Sequence, residues 1–541
     1  LELQTHFLSG AAEREGAVGA GPRPGSVKGR SGGGWTIPLL LLAVSGGLLL
    51  VCSGTSPLYR GHDWTDANTY LTMGRGLIQG AVPYRDLFDH KGPLLYLLYA
   101  LGALLHPAGF YGVFVLQVLA LAGTLYALYR TARCLEAVPA AALVCVCALP
   151  VFLLSAGIYY LPDGLDYGGG SAEEFCLPLM AGGLWLWAAG ERRGGWSPGG
   201  LAGLGVLAGA AFQIKFSLAV FFAGLLLPGG IQPPSRRAGR RLLGLGWCAL
   251  GFSGSLLPYL LYAGVTHSLG NFVRAYFWFN ASYARAAAPS LGALIGRAVS
   301  AAWCTVLTTP MLAAALLLFG AGLGILARDG TLCLGPLAAF AAVGAVIFAG
   351  RVMPYTLLPL LLSSFFGLVA LCRRFPALPS RRWTAVLLAG LGLAAVWGNQ
   401  MALSRPFAWR AAPTCQEQMA GRIRSGPWEH PTLLEAGMLS RGFYNQLGLV
   451  PEIYYFYVPN VTDEEHPEIV EGQLQAIRAQ EPDYIILQSR QPLLSPESPP
   501  QEERLRRLYE AVLQGYQFVD SIPGTGAVDH LTYHLFQRST P

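Results

Sequence analysis

Long apolar runs, each closed by a short polar or basic stretch, recur from residue 36 to residue 402. One crossing of the ~30 Å of bilayer hydrocarbon takes about 20 such residues. By that measure the pattern predicts spans near 36–54, 112–130, 138–158, 174–190, 199–214, 216–230, 242–263, 298–327, 331–350, 354–371 and 383–402, about 11 in all. Lys215 separates two short members of this set that otherwise read as one. Residues 93–106 stay apolar for too short a distance to cross, which suits an interfacial or re-entrant helix. Beyond residue 402 the pattern shortens. Strand-like stretches at 453–458, 484–488, 517–522 and 531–537 mix with helical ones near 465–479 and 501–514. The expected fold is mostly α: a polytopic transmembrane helical bundle with a small C-terminal extracytoplasmic α/β domain. Its expected parts are a disordered cytoplasmic tail (1–34), a membrane domain (35–402) and the α/β domain (403–541).

Composition supports the membrane reading. The 541 residues are 53% hydrophobic and only 13% charged, roughly half the charge of an average soluble domain. Nine of the ten cysteines fall in or beside apolar runs, with no CxxC pair, so neither a disulfide framework nor a zinc site is indicated. From residue 403 onward 11 basic residues face 17 acidic ones, whereas the preceding part holds 26 basic and 14 acidic. A basic membrane body therefore carries an acidic, water-facing tail.

Basic residues favour the cytoplasmic side of membrane proteins. Arg14, Arg23, Lys28 and Arg30 place the N-terminus inside, and every second loop thereafter is basic. An odd number of crossings then puts 403–541 outside, in a multi-pass protein of the plasma (inner) membrane.

On this topology the outer acids of the membrane part gather in two loops. The first holds Asp63, Asp66, Asp86 and Asp89; the second holds Asp163, Asp166, Glu173 and Glu174. Later outer loops carry Lys215, Arg274, Arg285, Arg297 and Arg351 instead. Charges kept beside a bilayer are costly, which makes them functional candidates, although solvated loop charges would give the same sequence. Asp66, Tyr70, Met73 and Leu77 recur at helical spacing and predict a short amphipathic helix over 66–79, lying on the membrane and ended by Gly80 and Pro83. Asp86, Asp89, His90 and Lys91 directly precede the short apolar helix, where Lys91 and His90 can snorkel to headgroups or meet a lipid-borne phosphate. In the second loop Gly168–Gly170 permit close backbone approach before Glu173 and Glu174 enter a span. The aromatic run Phe272, Tyr276, Phe277, Trp278, Phe279 and Tyr283 reads as an interfacial belt or as a surface for sugar and isoprenoid.

These residues carry a resemblance. Asp66 and Tyr70, followed by Gly80, Pro83, Tyr84, Asp86, Phe88 and the run Asp89-His90-Lys91-Gly92-Pro93, resemble the first outer loop of bacterial GT-C membrane glycosyltransferases. The nearer branch contains protein O-mannosyltransferases and lipid A aminoarabinose transferases, and Gly169 to Pro178 resembles that branch's second acidic loop. The resemblance implies an inverting transfer of sugar from a polyprenyl-phosphate donor to a hydroxyl acceptor (glycolipid, cell-wall polymer or protein) on the outer face. It implies Asp66 as the catalytic acid residue, Glu173 or Glu174 as the second acid, and Lys91 as a cation beside the donor. Two departures stand out. Ala67 follows Asp66 where relatives often have an acid, which leaves Asp63 and Asp66 both open as the base. Gly92 replaces the first proline of a Lys-Pro-Pro run.

The chemistry asks for such groups. An acceptor hydroxyl needs a carboxylate to take its proton, and a departing phosphate needs positive charge nearby. Lys91, His90, Arg274, Arg285 and Arg351 are the available cations, with Asp86, Asp89 and Tyr70 as further donor-site candidates. There is no Asp-x-Asp motif, no phosphate-binding P-loop and no His-Glu-x-x-His. A divalent Mg or Mn ion on Asp66, Glu173 and Glu174 stays open as a cofactor, because carboxylates suit such ions. Membrane lipids are expected partners; a nucleic acid is not. Two other readings remain: a lipid or polysaccharide transporter or flippase, which typically shows internal repeats absent here, and a non-catalytic membrane subunit that binds through its tail.

Overall fold

The structure, a computed structural model, describes residues 35–62, 64–107, 109–155, 168–226, 238–285, 290–331, 333–374, 411–494, 499–525 and 530–539. The predicted N-terminal tail and the predicted span 383–402 lie outside these residues, as do Asp63, Asp163 and Asp166. The described chain is mostly helical. In order come α1 (Thr36–Cys52), α2 (Thr65–Ile78), α3 (Pro93–Leu105), α4 (Tyr111–Cys134), α5 (Pro139–Ala148), α6 (Pro150–Ser155), α7 (Ala172–Arg192), α8 (Pro198–Ile214), α9 (Val220–Leu226) and α10 (Ala238–Val265). Further apolar helices follow at Leu291–Thr308, Pro310–Arg328 and Leu334–Ala349. Among the described residues five helices are long and apolar enough to cross a membrane, accompanied by six shorter apolar ones. The protein is a multi-pass membrane protein.

Prolines cut two of the predicted spans. The stretch 138–158 divides at Pro150, and 298–327 is two helices divided at Thr309–Pro310. Proline lacks the N–H an interior helical position must donate but fits the first turn, so each helix restarts there. Both Leu291–Thr308 and Pro310–Arg328 are long enough to cross on their own, which corrects the single span expected. The predicted separation at Lys215 is present: α8 ends at Ile214, a 3₁₀ turn covers Phe216–Ala219, and α9 follows.

Helix α2 departs from the expected surface helix. Every residue from Ala67 to Gly76 is buried, on all sides of the helix. It lies on α3 and is covered by the tail, so two layers rather than one enclose it.

The tail holds a four-stranded sheet in the order β1-β2-β4-β3, with β1 Leu433–Ala436, β2 Tyr484–Ser489, β3 Tyr516–Pro523 and β4 Thr532–Arg538. β1 runs parallel to β2, joined through the helix Pro467–Arg478, and the other pairings are antiparallel. Residues 453–458, expected as a strand, form none. Part of the segment turns to the membrane part instead, where Phe88 N–H donates to the Tyr454 carbonyl at 3.0 Å and Tyr454 Oη donates to the Tyr84 carbonyl at 3.2 Å, while Val458 N–H donates within the tail to the Met438 carbonyl. The strand missed in the sequence, β1, is short and carries a buried acid, Glu435, which hides its pattern.

Glu435 accepts the backbone N–H groups of Arg441 (3.0 Å) and Phe443 (3.1 Å). Burial pushes its carboxyl up to about 7, and these bonds only partly oppose the rise. Between the ordinary carboxyl value and about 7 the folded tail therefore holds a proton that the unfolded chain has lost, so stability falls as pH rises through that window. Thermal unfolding of the detergent-solubilised protein should be higher at pH 5 than at pH 8, with the difference reduced in Glu435→Gln. An unchanged pH dependence in that variant refutes the assignment.

Candidate active site

The first acidic loop and the second meet through glycine carbonyls. Gly54 N–H donates to Gly168 O at 2.5 Å, His62 Nε2 lies 3.0 Å from Gly169 O, and Tyr99 Oη donates to Gly170 O at 2.6 Å. Gly169 and Gly170 sit at φ +101° and +90°, a region side chains disfavour, so the predicted close approach at these glycines is real. The contact fixes the start of α7, where Ser171 caps the helix and Glu174 closes the box: Glu174 N–H donates to Ser171 Oγ at 3.1 Å, and Ser171 N–H to Glu174 Oε1 at 3.2 Å. Gln117 Nε2 donates to the other oxygen of Glu174 at 2.5 Å. Glu174 thus holds the helix end.

Glu173 points elsewhere. It is 1% exposed, pairs with Lys215, and lines a cavity of about 920 Å³. Lys91, Lys215 and Arg351 bring three cations to the same walls, and Leu218, Leu294 and Val346 give them an apolar side. Lys215 reaches the site because α8 breaks there; its ammonium also lies 5.9 Å from the Tyr355 ring centre. Arg351 is anchored from the tail, donating to Asn460 O at 2.9 Å and meeting Glu465 at 3.2 Å.

Asp66, in the first turn of α2, accepts the Tyr70 hydroxyl at 3.0 Å and lies 3.5 Å from Tyr355 Oη. It does not itself line the cavity; Tyr355 bridges it toward Lys215 and Glu173. The carboxylates of Asp66 and Glu173 are thus linked through Tyr355 and Lys215.

The loop before α3 is a scaffold for Lys91. Asp89 is 1% exposed and accepts from Tyr96 Oη (2.8 Å), Tyr457 Oη (2.8 Å) and its neighbour's N–H at His90 (2.7 Å). Burial opposes its carboxylate, yet hydrogen bonding from His90, the Lys91 charge and Tyr457 hold it down at about 2. Asp89 is a buried hub that stands behind the cavity wall formed by His90 and Lys91. Asp86 is also absent from the wall: it closes a turn on the Val82 N–H at 2.7 Å and pairs with Arg85. Lys91 is fixed at both backbone groups, its N–H on Tyr96 Oη at 3.0 Å and its carbonyl receiving Tyr84 Oη at 2.6 Å. Burial, then the Lys91 charge, push His90 downward, and its Nε2 lies 2.8 Å from Lys91 Nζ, an arrangement that suits a neutral ring accepting from the ammonium.

Gly92 explains its own departure from Lys-Pro-Pro. Its N–H donates to Ile214 O at 3.3 Å, which proline could not do. A Cβ there would stand 2.9 Å from Tyr276 Oη and closer still to the Gln213 carbonyl. Gly92→Ala is expected to cost about 1–3 kcal/mol through overpacking, read as a lowered melting temperature, with Lys91 displaced and activity reduced. A variant that melts like the wild type refutes this.

Arg274 is exposed beside Tyr454 and Tyr455 and does not line the cavity. Arg285 ends the helix Phe279–Arg285. Within the aromatic run, Tyr276 enters the cavity wall on a π-helical turn, Val273–Trp278, while Trp278 is 64% exposed. Sequence reasoning missed Tyr355 and the cavity role of Asn280, whose Nδ2 donates to His90 O at 2.8 Å. Tyr355 had an indirect signal in Arg351, two residues before Met353-Pro354. Among the described residues no three His, Cys, Asp or Glu side chains gather to hold an ion. Glu173 is committed to Lys215 and Glu174 to Gln117 and Ser171, so the carboxylates proposed for Mg or Mn do not fit one site.

No protein-family model matches the sequence, and no curated protein does. Among solved structures the chain is similar to ArnT from Cupriavidus metallidurans. The crystal structure bound to undecaprenyl phosphate matches with a TM-score of 0.55 at 13% identity, covering 94% of this chain and 98% of that one. The apo state matches with a TM-score of 0.52 at 12% identity, covering 93% and 97%. The mycobacterial arabinofuranosyltransferase AftD reaches 0.48 at 17% identity, covering 94% of this chain and 40% of that one. ArnT is matched over nearly the whole length of both chains, and at that identity the likeness concerns the path of the backbone: the chain has the GT-C fold.

Proposed function

We propose that this protein is an inverting membrane glycosyltransferase that moves a sugar from a polyprenyl-phosphate donor to a hydroxyl acceptor at the outer face of the plasma membrane. The observation that carries the reading is the two-sided cavity, with Lys91, Lys215 and Arg351 on one part and leucine and valine side chains on another. A lipid-linked phosphate needs both halves: cations for the headgroup and apolar walls for the isoprenoid. ArnT, the similar fold, is the protein that has been seen with undecaprenyl phosphate.

In the proposed reaction the acceptor oxygen forms a bond to the anomeric carbon as the bond from that carbon to the phosphate oxygen breaks. Asp66 takes the hydroxyl proton, and the electron pair of the broken bond leaves on the polyprenyl phosphate. The cations stabilise the charge that grows there, more in the transition state than before it. Glu173 orients Lys215, with Tyr355 between that pair and Asp66. The acceptor is a glycolipid, a cell-wall polymer or a protein, and the N-terminus is cytoplasmic.

Mass spectrometry of membrane lipids from cells with and without the protein tests the reading. A polyprenyl-phosphate sugar accumulating in its absence is the expected result. Unchanged lipids and glycans overturn it, and substrate movement without covalent change would favour a transporter.

A further inference from the structure

Asp66 and Asn68 stand two residues apart on α2, about 200° around its axis. Asp66 meets Tyr355, whereas Asn68 faces the tail, bonded to Asn445 Nδ2 at 3.0 Å through both its carbonyl and its side-chain oxygen. On that second side lies another hollow, of about 240 Å³, between the first loop, the α3–α4 connection and the tail. It is too small for a lipid chain and a phosphate together, and its walls are of a different kind. Phe110 and Tyr111 offer ring surfaces, whereas the Thr55 and Ser56 hydroxyls are buried and spent on Gln117 and on the Leu50 carbonyl.

The charges in these walls do not balance. Arg60 is satisfied by Glu417, at 3.0 and 2.8 Å, and by the Ala411 carbonyl at 3.0 Å. Arg441 has no such partner: its Nε is buried without a hydrogen bond, and the same holds for His106 Nδ1. Among the described lining residues Arg441 is left as the uncompensated charge. An unpaired guanidinium N–H under cover is costly unless an oxygen comes to meet it. The His106 ring lies 4.4 Å from that of Tyr111, so an unsatisfied ring nitrogen and a flat apolar face adjoin.

We propose that this hollow is a second saccharide subsite, holding one carboxylate-bearing sugar unit of the acceptor glycan. The sugar ring packs on the aromatic faces, and its carboxylate meets Arg441, for which a planar guanidinium is the natural partner. The body of α2, about 10 Å across, stands between this subsite and Asp66. The unit held there is therefore not the one that receives the new sugar; it registers the acceptor. The proposal rests on the glycosyltransferase reading above.

Binding and transfer test it separately. Purified full-length protein in nanodiscs is titrated calorimetrically with D-glucuronate and with methyl β-D-glucoside. Glucuronate is expected to bind at about millimolar strength, at least ten-fold more tightly than the neutral glucoside. Arg441→Gln should weaken it at least ten-fold, Tyr111→Ala should weaken it from the membrane side of the hollow, and Asp66→Asn should leave it unchanged. Two variants on separate parts of the chain guard against one that fails to fold. No glucuronate binding by the wild type, equal binding of the two sugars, or full binding in both folded subsite variants overturns the subsite. Loss of binding in Asp66→Asn also overturns it, by placing the sugar in the other cavity. Wild-type protein that binds glucuronate but transfers no sugar counts against the enzyme reading alone.

Discussion

Asp66→Asn should lower sugar transfer by about 100- to 10,000-fold, the usual contribution of a positioned general base, while leaving the fold intact. The amide has the size of the carboxylate and still offers an oxygen to the Tyr70 hydroxyl, 3.0 Å away, and to Tyr355. What it loses is the capacity to take a proton. Because α2 is buried against α3 and the tail along its length, one such exchange at its first turn does not release the helix. The measurement is the transfer rate from a labelled polyprenyl-phosphate sugar in proteoliposomes, beside a melting curve. Near-normal transfer with a normal melting curve removes Asp66 from the chemistry and revives the reading of a non-catalytic subunit.

The second large effect belongs to Lys91. Lys91→Ala should slow transfer by about 100- to 1,000-fold, the range seen when one positioned stabilising group is removed. Its backbone is held at both ends by tyrosine hydroxyls, so the ammonium is aimed before substrate arrives. Neutral His90 beside it supplies a lone pair without a competing charge. Since the leaving phosphate gains negative charge as the bond breaks, kcat should fall more than donor KM rises, and Lys91→Arg should recover part of the rate. A variant that only raises KM would make Lys91 a binding group with no share in the transition state.

Much of this was legible along the chain. The apolar periodicity gave the membrane body, and the break at Lys215 was visible because a charge interrupts a run too long for one short helix. The glycine carbonyl contacts were foreshadowed by Gly168–Gly170. What the sequence could not separate was one carboxylate from another. Asp66, Asp89, Glu173 and Glu174 look alike as letters, yet Asp89 is a buried hub, Glu174 a helix cap, and Glu173 a cavity residue. The distinction depends on partners remote in sequence: Tyr457 for Asp89, Gln117 for Glu174 and Lys215 for Glu173. Tyr355 had only the indirect signal of a nearby Arg351, since its position matters only once a 3₁₀ turn at Pro354–Leu357 brings it to Asp66. Residues 453–458 misled because tyrosine-rich segments favour strands, and here their polar groups found partners across a seam between two parts of the chain.

That seam has a consequence for biogenesis. The hydroxyl that completes the Asp89 hub belongs to Tyr457, and the carbonyl that steadies Arg351 belongs to Asn460, both translated long after the membrane helices. A nascent chain already threaded into the bilayer, but halted before these residues, would hold an unfinished cavity. The cavity wall is complete only when this part of the polypeptide has left the ribosome and docked on the helices already made.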